Sequence, residues 1–199
     1  MLILVRHGQS AANAAGLLSG RAETPLTEKG RSQVAGLSAL VAGAARLVTS
    51  PLERARETAA ALGLGLPIEV DERWTEIHYG ELEGWSLTTV PAEHWRRWRS
   101  DPDFRPPGGE TLTEVGRRVR EACGELFAAP GSGARATGDV VVVSHVSPIK
   151  AAVAWALGAG DDLAWRLQLS TASLTRVAWG NDGPVLLSYN DTGRAPDRA

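Results

Sequence analysis

Leu2-Ile3-Leu4-Val5-Arg6-His7-Gly8-Gln9-Ser10 opens the chain as an unbroken apolar run, two potential cations and a glycine. An apolar run this short reads as a strand buried on both faces. Gly8 lets the backbone turn tightly where the strand ends. An arginine and a histidine at the end of a buried strand are costly unless an anion meets them. The anion expected here is a phosphate group, with His7 as its attacker. Alone, such a pair is more often structural than functional, so the rest of the chain has to supply partners.

Working outward, 8–25 reads as a loop with at most one helical turn. Thr27 then caps a helix that reaches Gly43 and keeps Val34, Leu37, Leu40 and Val41 at three- and four-residue spacing. Arg46-Leu47-Val48-Thr49 reads as a second strand. Ser50, Pro51 and Glu53 form a capping-box pattern opening a helix that carries Arg54. A third strand is expected at 67–70, a glycine-punctuated loop at 71–84 and a helix at 91–100 with Trp95 and Trp98. Thr111 and Glu114 repeat the capping box before a long amphipathic helix through Leu126. A loop of small residues is expected at 130–138 and an apolar strand at 139–143, followed by Ser144-His145. Ser147-Pro148 would start the next helix. Strands are expected at 174–178 and 185–188, and a fraying tail at 191–199.

This alternation predicts one α/β domain over 1–190, a mostly parallel central sheet with helices on both faces. Ligands of such sheets bind beyond the carboxyl ends of the strands. Arg6-His7, the Ser50–Arg54 segment and Ser144-His145 all fall there, so two histidines and two arginines converge. Arginine forks suit phosphate oxygens, and imidazole attacks phosphorus when its other nitrogen is tied down.

Bulk properties exclude several classes. A net charge of −2 offers no basic field for nucleic acid. The single cysteine, Cys123, rules out an internal disulfide and a cysteine-based metal cage, and fits a cytoplasmic location. The opening apolar run is too short for a signal peptide or membrane span. His7, His78, His94 and His145 lack close metal-ligand spacing, and the arginines beside them repel a cation, so no metal is expected. No glycine-rich run ends in Lys-Ser or Lys-Thr, which removes a P-loop.

Leu4-Val5-Arg6-His7-Gly8-Gln9-Ser10 with Asn13 resembles the signature of the histidine phosphatase superfamily, also called phosphoglycerate mutase-like. The likeness continues through Pro25–Gly30, Ser50–Ala59, Glu76–Gly84, Pro107–Thr111 and Val143–His145, in that family's order and spacing. It is nearest in appearance to α-ribazole-phosphatase-like acid phosphatases. The resemblance implies that His7 becomes phosphohistidine and that Arg6, Arg54 and His145 hold the phosphate. Asn13, Gln9, Arg21, Gly109 and Thr111 would contact substrate. Glu76 would protonate the leaving oxygen and then activate water. No cofactor is implied.

The partner implied is a small phosphate ester, acted on by a monomer or homodimer. About thirty residues lie between Glu76 and Gly108, a small cap insertion at about 77–110, which favours hydrolysis over phosphoglycerate mutase chemistry. The alternative of another class is a non-catalytic phosphate-binding module, against which the retained histidines, arginines and Glu76 all speak. Trp85, Trp95 and Trp98 are expected to pack the cap onto the sheet; the sharper alternative is an apolar wall for the leaving group.

Overall fold

The computed structural model describes residues 1–127 and 138–193; the small-residue loop and the tail expected from the sequence fall largely outside them. Strands β1 (Leu2–Arg6), β2 (Ala44–Thr49), β3 (Ile68–Val70), β4 (Asp139–Ser144), β5 (Leu174–Trp179) and β6 (Pro184–Asp191) form one sheet in the order β3-β2-β4-β1-β5-β6. β1 to β4 run parallel, whereas β5 pairs antiparallel with β1 and β6 antiparallel with β5. The mostly parallel sheet expected from the sequence is therefore present.

Alternation within the continuous apolar runs explains why both faces are covered. Leu2 and Leu4 of β1 and Val140 and Val142 of β4 join one core with α5 (Leu112–Phe127) and α6 (Val146–Ala156). Ile3, Val5, Val141 and Val143 join a second core on the opposite face, with α2 (Glu28–Ala35) and α3 (Glu53–Ala61). A third cluster, Leu18, Leu82, Val90, Trp98 and Phe104, ties the 77–110 segment and its helix α4 (Ala92–Ser100) to the loop after α1 (Ala11–Ala15). Trp95 and Trp98 pack there against Trp165 of the 3₁₀ turn Asp161–Arg166 and not onto the sheet, and Trp85, 43% exposed, does not join that cluster.

Three further sequence expectations need correction. The helix expected from Thr27 to Gly43 stops at Ala35; Gly36 ends it, and a 3₁₀ turn (Ser38–Val41) carries Leu37 and Val41 into the core while Leu40 stays exposed. The Ser50–Glu53 capping box does not form. α3 begins at Glu53 with Leu52 at its cap position, and the Glu53 N–H donates to the Glu23 carboxylate at 2.7 Å. α6 begins at Val146, ahead of Ser147, so Pro148 sits in its first turn, where a missing N–H costs nothing. At both helices a carboxylate from elsewhere in the chain satisfies amides that local reading assigned to a serine. The Thr111–Glu114 capping box does form, reciprocally, at 3.0 and 3.1 Å.

Candidate active site

The carboxyl ends of β1, β2 and β4 deliver the site. β1 ends in Arg6 and turns at His7, whose N–H donates to the Ser144 carbonyl of β4 (3.0 Å) and whose carbonyl accepts from Ala172 N–H (3.0 Å). The strand end is thus held from both neighbours. Gly8 follows in close contact with Gly30: a Cβ on Gly8 would lie 2.5 Å from the Gly30 carbonyl oxygen, and one on Gly30 2.2 Å from that of Gln9. Only glycines allow this approach, which presses the nucleophile loop onto α2.

His7 is 3% exposed. Its Nδ1 lies 2.7 Å from the Gly8 carbonyl oxygen. A carbonyl only accepts, so Nδ1 carries the hydrogen and Nε2 keeps its lone pair for attack. Burial, with Arg6 and Arg54 adding to it, holds the imidazole well below its ordinary pKa. It is therefore neutral at neutral pH, as a nucleophile requires.

Two guanidiniums line the same cavity, Arg54 buried and Arg6 partly so. Arg6 Nη1 donates to the Leu169 carbonyl at 2.5 Å. Arg54 donates to the Ala22 and Gly20 carbonyls at 2.9 and 2.7 Å, mooring the loop after α1. Burial lowers both groups from their ordinary range, with Glu76 acting in the opposite direction on each; arginine stays charged regardless. His145, fully buried, has its ring centre 5.0 Å from that of His7. Its Nε2 is 2.7 Å from the Ser50 hydroxyl, which also accepts from Leu52 N–H at 3.3 Å. With the hydroxyl hydrogen given to Nε2, the ring hydrogen sits on Nδ1. That Nδ1, Arg6 Nε and Arg54 Nε are all buried without a hydrogen-bond partner among the described residues. Three donors left unmet around one imidazole are costly in isolation and suit an oxyanion.

Glu76 reaches the site from the 3₁₀ turn Glu72–Trp74 and lies across the start of α6. Its Oε1 accepts from Ile77 N–H (2.8 Å) and Ser147 N–H (3.1 Å), and its Oε2 from Val146 N–H (3.1 Å). The helix terminus is a natural seat for a carboxylate.

Arg6, His7, Asn13, Arg54 and Glu76 line one cavity of about 170 Å³, with Leu17, Leu18, Ser19, Gly20, Tyr79, Leu87 and Val146 completing it. Asn13 is held by Ser10, whose N–H and hydroxyl both donate to its Oδ1 at 3.1 Å, so its amide N–H₂ is the end left for substrate. His145, fully buried beside His7, does not itself line the cavity, and neither do four of the five residues expected to contact substrate. Gln9 Oε1 accepts from the Thr27 hydroxyl (3.0 Å), Arg21 pairs with Glu110 (3.2 Å), Gly109 is packed against His78 and Pro106, and Thr111 caps α5. His78 lies 3.6 Å from Glu83 and His94 stacks edge-on to Phe104, so neither joins His7 and His145.

Sequence reading missed the second half of the lining. Leu17–Gly20 sat in a loop without periodicity, and Leu87 in a segment with no motif. Tyr79, three residues beyond Glu76, was the one findable signal.

A family model described as "Histidine phosphatase superfamily (branch 1)" matches residues 2–192. "Bifunctional protein Rv2228c" of Mycobacterium tuberculosis is 40% identical over 202 residues, 96% of this chain and 54% of that protein; the chain thus spans about half the length of that relative. "Probable phosphoglycerate mutase GpmB" of Cronobacter sakazakii is 35% identical over 185 residues, 87% of this chain and 82% of that one. Among solved structures, mycobacterial glucosyl-3-phosphoglycerate phosphatase Rv2419c with VO3 superposes with a TM-score of 0.85 at 30% identity, covering 96% of this chain and 98% of that chain. One of these relatives bears a phosphatase name and one a probable mutase name. The chain belongs to the histidine phosphatase superfamily, branch 1.

Proposed function

We propose that the chain is a phosphomonoester hydrolase that works through a phosphohistidine on His7. The observation that carries this reading is the His7 ring itself: Nδ1 fixed by the Gly8 carbonyl, in a cavity whose lining also holds the Arg6 and Arg54 guanidiniums. In the first step Nε2 attacks phosphorus in line, the N–P bond forms, and the bond to the leaving oxygen breaks. Glu76 gives that oxygen its proton. In the second step water attacks phosphorus, Glu76 takes a proton from it, and the N–P bond breaks to release phosphate and restore His7. Charge on the transferring oxygens is met by Arg6, Arg54, His145 and the Asn13 amide. Fixed cations supply that stabilisation, so the scheme routes no step through a metal.

The substrate is a small phosphate ester; α-ribazole phosphate and sugar phosphates are the candidates the sequence resemblance raises. A screen of phosphate release across these esters, nucleotides and phosphoglycerates tests the reading, and activity lost in Arg54→Lys by about 10²-fold would support it. Release of phosphate from none of them would overturn it. The second reading, phosphoglycerate mutase, is favoured by the name of the Cronobacter relative. Incubation with 3-phosphoglycerate separates the two: free phosphate supports the hydrolase, 2-phosphoglycerate the mutase.

A further inference from the structure

The lining of the cavity divides by chemistry. Arg6, His7, Arg54, Glu76 and Asn13 make its charged and polar side, the floor, whereas Leu17, Leu18, Leu87 and Val146 make an apolar wall whose half-exposed Leu87 marks the mouth. A small antiparallel ladder builds that wall. Gly16 ends α1 in a left-handed conformation (φ 67°), and the chain then runs alongside 84–87. Leu18 N–H donates to the Trp85 carbonyl (2.9 Å), Gly84 N–H to that of Leu18 (2.7 Å) and Leu87 N–H to that of Gly16 (2.9 Å), while Leu17 bridges Ser86. The two leucines are held by backbone bonds and need no substrate to bring them together. Leu87 is nevertheless 46% exposed and its neighbour Trp85 43%.

Polar groups at this mouth are already engaged. The Ser19 hydroxyl pairs with Thr24 (3.4 Å), and the Gly20 carbonyl accepts from Arg54. Arg21, beside the rim, is ion-paired to Glu110. Lys150 lines a separate cavity of about 70 Å³ that shares only the Tyr79 and Val146 walls. A carboxylate on the leaving group would therefore find leucine where it needs a cation, since the floor arginines are taken by the phosphate.

We propose that the leaving alcohol is uncharged and lays an apolar face, aliphatic or aromatic, against Leu17 and Leu87; this rests on the hydrolase reading above. The test compares kcat/KM for n-hexyl phosphate, glycerol 3-phosphate and 3-phosphoglycerate. All three are esters of primary alcohols, so leaving-group acidity is similar. Hexyl phosphate is expected to exceed each of the others by at least about tenfold, the scale on which apolar pockets discriminate. Leu17→Asn and Leu87→Asn are each expected to cut that advantage about fivefold or more through KM, and Leu87→Met to retain it. Equal or greater turnover of 3-phosphoglycerate or glycerol 3-phosphate would overturn the proposal, as would a ratio unmoved in both asparagine variants. If phosphohistidine still forms on His7 in those cases, the hydrolase reading stands and only this inference falls. Absence of both phosphohistidine and phosphate release from every ester removes the two together.

Discussion

At the scale of single residues, the site depends on which ring nitrogen carries a hydrogen. The Gly8 carbonyl decides this for His7, and the Ser50 hydroxyl for His145. Ser50→Ala would leave His145 Nε2 without its partner and let the ring choose either tautomer. The expected result is an approximately tenfold lower kcat/KM with an altered pH profile, restored by Ser50→Thr; an unaltered profile would show that Ser50 does not position the ring. Because burial, with Arg6 and Arg54, holds the His7 imidazole well below its ordinary pKa, the acid limb of kcat/KM should fall below the range in which a free imidazole titrates, which a pH–rate profile measures. Arg6 and His7 were legible in the sequence as a pair needing an anion. The role of Ser50 was not, because serine before proline and glutamate fits a helix cap equally well.

At the scale of elements, two helices point their amino termini toward the site, and each is closed by a carboxylate from a distant loop. Glu23 serves α3 and Glu76 serves α6. Glu76 is thus both a helix cap and the proposed acid. Glu76→Ala should cost about 1–2 kcal/mol in unfolding free energy, and Glu76→Gln should lower kcat/KM on an alkyl phosphate by about 10²–10⁴-fold. On p-nitrophenyl phosphate, whose leaving group needs no proton, kcat/KM, which reports the first step alone, should fall much less; equal losses of kcat/KM on both esters would argue against the acid role. The Gly8–Gly30 contact gives a second element-scale prediction. Gly30→Ala drives a Cβ into the Gln9 backbone and should destabilise by about 1–3 kcal/mol in denaturant titration while lowering kcat. Helix positions were readable from apolar spacing, but the N-terminal partners of α3 and α6 were not. Local patterns name the nearest serine, whereas the fold supplies a carboxylate from more than twenty residues away.

At the scale of the whole molecule, a sheet covered on both faces converges three strand ends on one cavity, and that much followed from unbroken apolar runs such as 2–5 and 140–143. The cavity's outer wall did not, since Leu17 and Leu87 meet only through a ladder between two segments that show no period. Among the described residues, no helix is long and apolar enough to cross a membrane. Burying two neutral histidines also shapes global stability. Their folded pKa values lie below the 6.5 of an exposed imidazole, so below pH 6.5 the unfolded chain binds protons that the folded one refuses. Tm should therefore fall as pH drops from 7 to 5, and the fall should be shallower in His145→Asn. The central claim, covalent catalysis at His7, is tested most directly by mixing the protein with ³²P-labelled p-nitrophenyl phosphate and quenching in alkali. The label should remain on the denatured protein, be released by acid, and be absent from His7→Ala; a His7→Ala protein that still carries acid-labile label, or hydrolyses the ester at the wild-type rate, would contradict it.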